Sequence, residues 1–337
     1  MDNLVATYGD WLPFIFAGLM GISMLIYVIL DGYDLGVGML SIAANSDQKD
    51  RMIASIGPFW DANETWLVLG IGLMFIAFPV AYGLILGALY IPVMLMLLGL
   101  IFRGVAFDFR AKVPKEKKQQ WNMLFFFGSL MAALSQGYML GGYVTGFQEG
   151  GAAILFSCLI AVAVASGYCL IGGAWLIWRC EGELQKKAVQ WMRQHLYTSC
   201  AGITLVSIAT PLVSTRIFDK WFEFPQVLAL APIPFTTGIL VIGLHFLLKH
   251  MPFPEDRYAW MPFAMTVFLY LLSFGGLAYS FYPYVVPDQL KIVDSITSPE
   301  SLMIVLIGTL FVLPVLIGYT ICVYYIFRGK AQDLRYD

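Results

Sequence analysis

The stretch that decides the fold runs from Gly57 to Leu67 and reads GPFWDANETWL. Two carboxylates in it, Asp61 and Glu64, lie three residues apart and therefore share one face of a helix. The flanking residues 53–56 and 67–80 are almost wholly apolar. A run of this length predicts a membrane-spanning helix, inside which a charged side chain costs roughly 2.5–3.5 kcal/mol. The sequence therefore predicts that the two carboxylates have a partner or a function.

The composition of the whole chain is typical of a membrane protein. Of its 337 residues, 59% are hydrophobic and only 12% are charged, and the mean hydropathy is +0.76. Soluble domains of this length do not have such a composition. The net charge of −2 offers no basic surface to a nucleic acid, and the sequence contains no phosphate loop, nucleophile motif or zinc-ligand set. We therefore exclude nucleic acid as a partner and predict no metal site.

Apolar runs separated by short polar breaks predict about nine helices in one all-α membrane domain that covers residues 1–337. The predicted ranges are 12–43, 53–78, 80–108, 121–145, 152–179, 196–214, 226–248, 259–284 and 300–327. Of the 20 basic residues, 16 lie in the odd-numbered connections and the C-terminus, three lie on the other side, and Arg103 lies inside a helix. This distribution predicts an outside N-terminus and a cytoplasmic C-terminus. The acidic N-terminus, MDNLVATYGD, lacks the basic region of a signal peptide, so we expect no cleavage.

Charged residues gather in the cytoplasmic halves of the first three predicted helices. They are the carboxylates Asp31, Asp34, Asp61, Glu64 and Asp108 and the single arginine Arg103. In one interpretation Arg103 forms a structural ion pair that holds the three helices together. In a second, the carboxylates form a proton pathway from the cytoplasm, and in a third the glycine-rich DGYDLGVG segment holds a cation. The excess of five acids over one arginine favours the proton pathway.

Cofactor ligands are scarce in the sequence. A haem between helices usually needs a buried axial histidine or methionine, and of the three histidines only His245 falls within a predicted helix. We therefore predict no haem in this chain. Trp60, next to Asp61, offers either a flat apolar contact for a quinone ring or simple packing. Gln136, in the fourth predicted helix, is a candidate for a hydrogen bond between helices.

Three motifs carry a resemblance to a known family. They are DGYDLGVGML at 31–40, GPFWDANETWL at 57–67 and IFRGVAFDFR at 101–110. In this order and at this spacing they resemble subunit II of the cytochrome bd-type quinol oxidases, including the cyanide-insensitive branch. The resemblance is strongest over the first third of the chain.

The resemblance implies a nine-helix subunit in the bacterial inner membrane that forms a heterodimer with a haem-bearing subunit I. Subunit I of this family carries two b-type haems, one d-type haem and the quinol site, whereas subunit II typically binds no haem. The complex oxidises quinol and reduces dioxygen to water with cytoplasmic protons, which generates a proton-motive force. The chain is thus expected to be part of an enzyme without being catalytic alone. A small accessory subunit, bound lipids and a quinone in this subunit occur in some members.

The resemblance also assigns roles to individual residues. Asp61, preceded by Trp60, matches the acidic residue that lies on the family's proton route across the subunit interface. Asp31 and Asp34 match the acids of the DGYD motif, and Arg103 matches the arginine of the FR motif. The residues alone leave two alternative functions open. One is a stand-alone proton-coupled transporter in which the pairs Asp31/Asp34 and Asp61/Glu64 couple transport to proton movement. The other is an assembly scaffold whose acids are inert.

Overall fold

The computed structural model describes residues 9–331, so the predicted uncleaved N-terminus lies largely outside the described residues. The predicted all-α membrane class is confirmed: eight stretches of the described chain are long and apolar enough to cross a membrane. The helices are α1 Leu12–Leu40, α2 Ser46–Ile56, α3 Trp60–Ala77, α4 Pro79–Ala88, α5 Tyr90–Lys112, α6 Lys118–Val144, α7 Gly151–Arg179, α8 Gly182–Val213, α9 Thr215–Phe222, α10 Gln226–Leu230, α11 Pro232–His250, α12 Met261–Phe281 and α13 Pro299–Ile326. Two short strands, β1 Tyr284–Val286 and β2 Leu290–Lys291, form an antiparallel hairpin between α12 and α13.

Helix α1 lies at the centre of the bundle and packs against α3, α6 and α7. Its contact with α7 is the closest, because a Cβ atom added at Gly36 would lie 1.8 Å from the carbonyl oxygen of Tyr168. Small residues also bring α5 and α6 together, where Gly99 and Gly128 face each other's backbone. Close backbone approach through small residues is how membrane helices gain packing contacts that lipid cannot provide. The second half of α1, which carries Asp31 and Asp34, is consequently buried.

The predicted continuous helix 53–78 is wrong, because the chain turns at residues 57–59 and divides it into α2 and α3. Pro58 explains the break, since a proline has no N–H group to continue the helical ladder, and the N–H of Phe59 donates instead to the carbonyl of Ile56. The polar helix α2 begins with a capping box between Asn45 and Gln48. Asp61 therefore lies in the first turn of α3. The eight apolar spans do not include α3, whose first turn is polar, so the ninth crossing stays a prediction.

Three further predicted boundaries are corrected. The range 80–108 is divided at Leu89 into α4 and α5, because Pro92 has no N–H group to continue the helical ladder across the junction. The range 196–214 begins instead at Gly182, since the amphipathic segment before it buries Leu184 and Met192. The range 259–284 ends at Phe281, and the chain continues into the β-hairpin.

The two ends of the bundle differ in their polar contacts. At the end that we call the basic end, Arg110 pairs with Asp50 and Arg179 donates a hydrogen bond to the carbonyl of Phe327. At the end that we call the hairpin end, Arg216 pairs with Asp288 in the turn of the β-hairpin. The basic end is the one that the charge distribution assigns to the cytoplasm.

Candidate functional site

Arg103 connects three helices in the half of the bundle next to the basic end. Its side chain is 1% exposed, and its Nη1 atom lies 2.6 Å from Oδ1 of Asp31 on α1. Its Nη2 atom donates to Oε1 of Glu64 on α3. Asp31 is fully buried, whereas Glu64 is 27% exposed. One guanidinium thus bridges a buried carboxylate and a carboxylate at the edge of the protein, which suits its fixed planar set of donors.

Asn63 connects a second group of polar side chains, one residue before Glu64 in the chain. Its Nδ2 atom lies 2.8 Å from Oδ2 of Asp34 and 2.8 Å from the hydroxyl of Tyr33. Its Oδ1 atom accepts a hydrogen bond of 3.1 Å from the hydroxyl of Tyr324 on α13, and the two tyrosine hydroxyls are 2.6 Å apart. Asn63 and Asp34 are fully buried. The amide therefore holds α1, α3 and α13 together around a carboxyl group.

Aromatic rings separate this second group from the basic end. The ring of Tyr33 stacks on Trp175 with centroids 4.2 Å apart, and the ring of Tyr324 lies 4.6 Å from Phe59. The guanidinium of Arg179 lies over Trp175, 5.2 Å from its ring centre. Stacked aromatic rings pack densely and leave little room for water. Asp34 is therefore closed off on this side.

Two consecutive hydrogen bonds link three helices near the Arg103 group, toward the middle of the bundle. The hydroxyl of Tyr168 on α7 donates to Oε1 of Gln136 on α6 at 2.6 Å. Nε2 of Gln136 donates to the hydroxyl of Tyr27 at 2.7 Å. Tyr27 lies one helical turn before Asp31 on α1. Gln136 thus satisfies two buried hydroxyls from two other helices.

The remaining predicted site residues lie on the surface of the bundle. Asp61 and Asp108 are exposed, and neither takes part in a hydrogen bond or ion pair within residues 9–331. Apolar side chains such as Val68 are exposed on the same helices. Trp60 is half-buried, and its ring lies 5.0 Å from that of Phe107. The structure thus brings Asp31, Glu64 and Arg103 together, whereas Asp61 and Asp108 lie at the periphery.

The charges of this site do not balance among themselves. Asp31 and Glu64 share one guanidinium, and Asp34, three residues after Asp31 on α1, contacts an amide instead of a cation. An arginine keeps its proton in a protein, so only the carboxyl groups can gain or lose one. Buried carboxylates without a compensating charge tend to take up protons. The arrangement can therefore hold and exchange protons between a partly exposed edge and a buried interior.

Sequence reasoning missed several residues of the site. It did not single out Asn63, although the residue stands between Asp61 and Glu64 in an apolar helix and an amide there usually finds a buried partner. Tyr33 and Tyr324 gave no signal, because tyrosines are frequent in this chain. Among residues 9–331, no group of three or more His, Cys, Asp or Glu side chains is placed to hold a metal ion.

The fold and the site define a class of protein: a multi-pass membrane protein with a buried cluster of carboxyl groups around one arginine that reaches its lateral surface. The family model of cytochrome bd terminal oxidase subunit II matches residues 12–327, and the chain belongs to this family. It is 30% identical over 330 residues to cytochrome bd ubiquinol oxidase subunit 2 of Bacillus subtilis (strain 168), covering 91% of this chain and 93% of that one.

Two further comparisons agree with the assignment. Cytochrome bd-I ubiquinol oxidase subunit 2 of Escherichia coli (strain K12) is 35% identical over 138 residues, which are 40% of this chain and 36% of the relative. A chain of the bd oxidase structure from Geobacillus thermodenitrificans has the same fold, with a TM-score of 0.73 and 17% identity over 94% of this chain and 98% of that one. The protein is therefore a multi-pass bacterial membrane protein of the respiratory oxidase class, and its relatives are subunits of a terminal oxidase complex.

Proposed function

We propose that this chain is the haem-free subunit II of a quinol:oxygen oxidoreductase, supporting subunit I and supplying cytoplasmic protons for the reduction of dioxygen to water. The observation that carries the proposal is the series of ion pairs from partly exposed Glu64 through Arg103 to buried Asp31, with the exposed Asp61 three residues before Glu64 on α3. Proton consumption on one side of the membrane makes the reaction electrogenic. No observation on the residues favours the alternative of a stand-alone transporter over membership in an oxidase complex.

The exposed carboxylates support a protein partner on the surface formed by α3 and α5. Asp61 and Asp108 are exposed there, and Val68 and Ile101 beside them are 71% and 56% exposed. Lipid is a costly environment for a carboxylate, so a surface that mixes acids with apolar side chains favours contact with protein. We propose that the haem-bearing subunit I covers this surface and receives protons from Asp61 and Asp108.

Within this proposal Arg103 remains charged and has an electrostatic role. Asp61 and Glu64 lie on one face of α3, about 5–6 Å apart at their Cβ atoms. Glu64 and Asp31 both contact the guanidinium, which stabilises whichever of the two is ionised. Protons therefore move between carboxyl groups while Arg103 keeps the pair in place.

The cofactors of the proposed complex, haems b and d, belong to subunit I. For this chain a quinone contact at Trp60 stays a prediction, since the packing of Trp60 on Phe107 is sufficient to account for its position. Bound lipids and a small accessory subunit likewise stay predictions.

The decisive experiment replaces Asp61 by Asn in the intact oxidase complex. We expect quinol oxidase turnover to fall at least about tenfold, because a positioned proton-transfer group contributes on this scale or above. The reduced-minus-oxidised haem spectrum should stay normal. Asp47→Asn, a change of an exposed acid in the first turn of α2, is the matched control and should keep full turnover. Full turnover in Asp61→Asn would contradict the proposal, and loss of the haem signals would assign Asp61 a structural role.

A further inference from the structure

Asp34 differs from the other acids of the site in its surroundings. Its side chain is fully buried, and Arg103 is already engaged by Asp31 and Glu64. Its Oδ2 atom accepts a hydrogen bond from Nδ2 of Asn63 at 2.8 Å, whereas its Oδ1 atom has no hydrogen-bond partner among residues 9–331. An ionised carboxylate with a single amide donor and no cation of its own is strongly disfavoured in a buried site.

We propose that Asp34 is a neutral carboxylic acid in the resting subunit and serves as an internal proton store for Asp31. The Asn63 amide donates a hydrogen bond to Oδ2, which identifies Oδ2 as the carbonyl oxygen of the neutral acid. The proton is then on Oδ1. The inference rests on the proposed function, because a store is useful only where protons are delivered. Asn63 is a positioning residue for this store.

The surroundings of Asp34 allow the stored proton one direction of transfer. Toward the basic end, Tyr33 and Tyr324 engage each other and Asn63 beneath the rings of Trp175 and Phe59. These contacts close that route to water.

The other direction leads along α1. Asp31 lies three residues before Asp34 on the same helix face, and its Oδ2 atom has no hydrogen-bond partner within the described chain. Asp34 therefore exchanges its proton with Asp31, and Asp31 exchanges protons with Glu64.

The transfer step is a simple exchange between two carboxyl groups. The O–H bond at Oδ1 of Asp34 breaks, and a new O–H bond forms at Oδ2 of Asp31. Asp34 becomes the anion, and Arg103 keeps its contact with Glu64 while Asp31 is neutral. Asp31 then passes this proton to Glu64 for delivery and is again ionised. One proton taken up through Glu64 and Asp31 reprotonates Asp34 at Oδ1, so each cycle takes up one proton and delivers one.

Infrared difference spectroscopy of the purified oxidase complex, reduced minus oxidised, tests the inference directly. A neutral carboxylic acid has a C=O stretching band that is separate from those of ionised carboxylates and shifts on deuterium exchange. We expect such a band in the unmodified complex, its loss in Asp34→Asn and its retention in Asp61→Asn. Asn63→Ala should move the band to higher frequency, because it removes the hydrogen bond to the C=O oxygen.

Two controls keep the test decisive. If Asp34→Asn does not assemble, labelling the carboxyl groups of aspartate in the unmodified complex must shift the band. In addition, the band of Tyr324→Phe must lie closer to the original frequency than the band of Asn63→Ala. A band that survives Asp34→Asn, or that aspartate labelling does not shift, overturns the inference. Full turnover in Asp61→Asn with the Asp34 band present would instead overturn the proposed function, so the two failures are distinguishable.

Discussion

Replacement of Arg103 by leucine is the strongest perturbation that the structure offers. The change removes the only cation that contacts Asp31 within the described chain and leaves that fully buried carboxyl group without its partner. Removing one member of a buried ion pair costs about 3–5 kcal/mol, which lowers the ratio of folded to unfolded protein by roughly two to three and a half orders of magnitude. Glu64 adds less, because solvent screens a side chain that is 27% exposed.

The assay for Arg103→Leu is the yield of assembled complex in size-exclusion chromatography, together with the thermal unfolding temperature of whatever assembles. Arg103→Lys keeps the charge but loses the two-sided contact, and we expect an intermediate yield. The double variant Arg103→Leu with Asp31→Asn removes both charges and should recover part of the loss. Native yield and an unchanged unfolding temperature in Arg103→Leu would refute the reasoning.

The remaining predictions concern packing and the basic end. Gly36→Ala forces a Cβ atom to within 1.8 Å of a carbonyl oxygen of α7 and should abolish assembly, whereas Gly83→Ala, with nothing within 4 Å, should leave the yield of complex unchanged. Partial burial raises the pKa of Asp256, but hydrogen bonds from Gln185 and Lys330 outweigh it and lower that pKa below its ordinary value. The resulting stabilisation, about 1 kcal/mol or less for this partly exposed pair, is present above about pH 4 and lost as the pH falls through the folded-state pKa. Thermal unfolding of Asp256→Asn should therefore show a smaller loss of stability on acidification than the unmodified protein, and equal losses would contradict the assignment.

The sequence predicted the membrane class because hydropathy over some 20 residues depends on composition alone. It did not predict the division of the range 53–78, since Pro58 near the start of a helix is equally compatible with a first-turn position. That division decides where Asp61 lies, at the beginning of α3.

The charged residues of the site could be predicted from the sequence, whereas the contacts around Asn63 could not. Intramembrane charges are conspicuous, so Asp31, Glu64 and Arg103 were identified from their residue types alone. The group around Asn63 depends on Tyr324, which is 261 residues away along the chain. Neither periodicity nor composition indicates which tyrosine of α13 reaches an amide of α3, because that contact is set by tertiary packing.

The same separation has a consequence for biosynthesis. Translation at about 5–20 residues per second places roughly 13–50 s between the synthesis of Asn63 and that of Tyr324. During this interval α1 and α3 are present while Asn63 still lacks the hydroxyl that satisfies its carbonyl oxygen. Helix α13, made after the other described helices, therefore completes the innermost polar group. A chain that stops before α13 leaves the carbonyl oxygen of Asn63 without the hydroxyl of Tyr324, which gives quality-control proteases a means of distinguishing it.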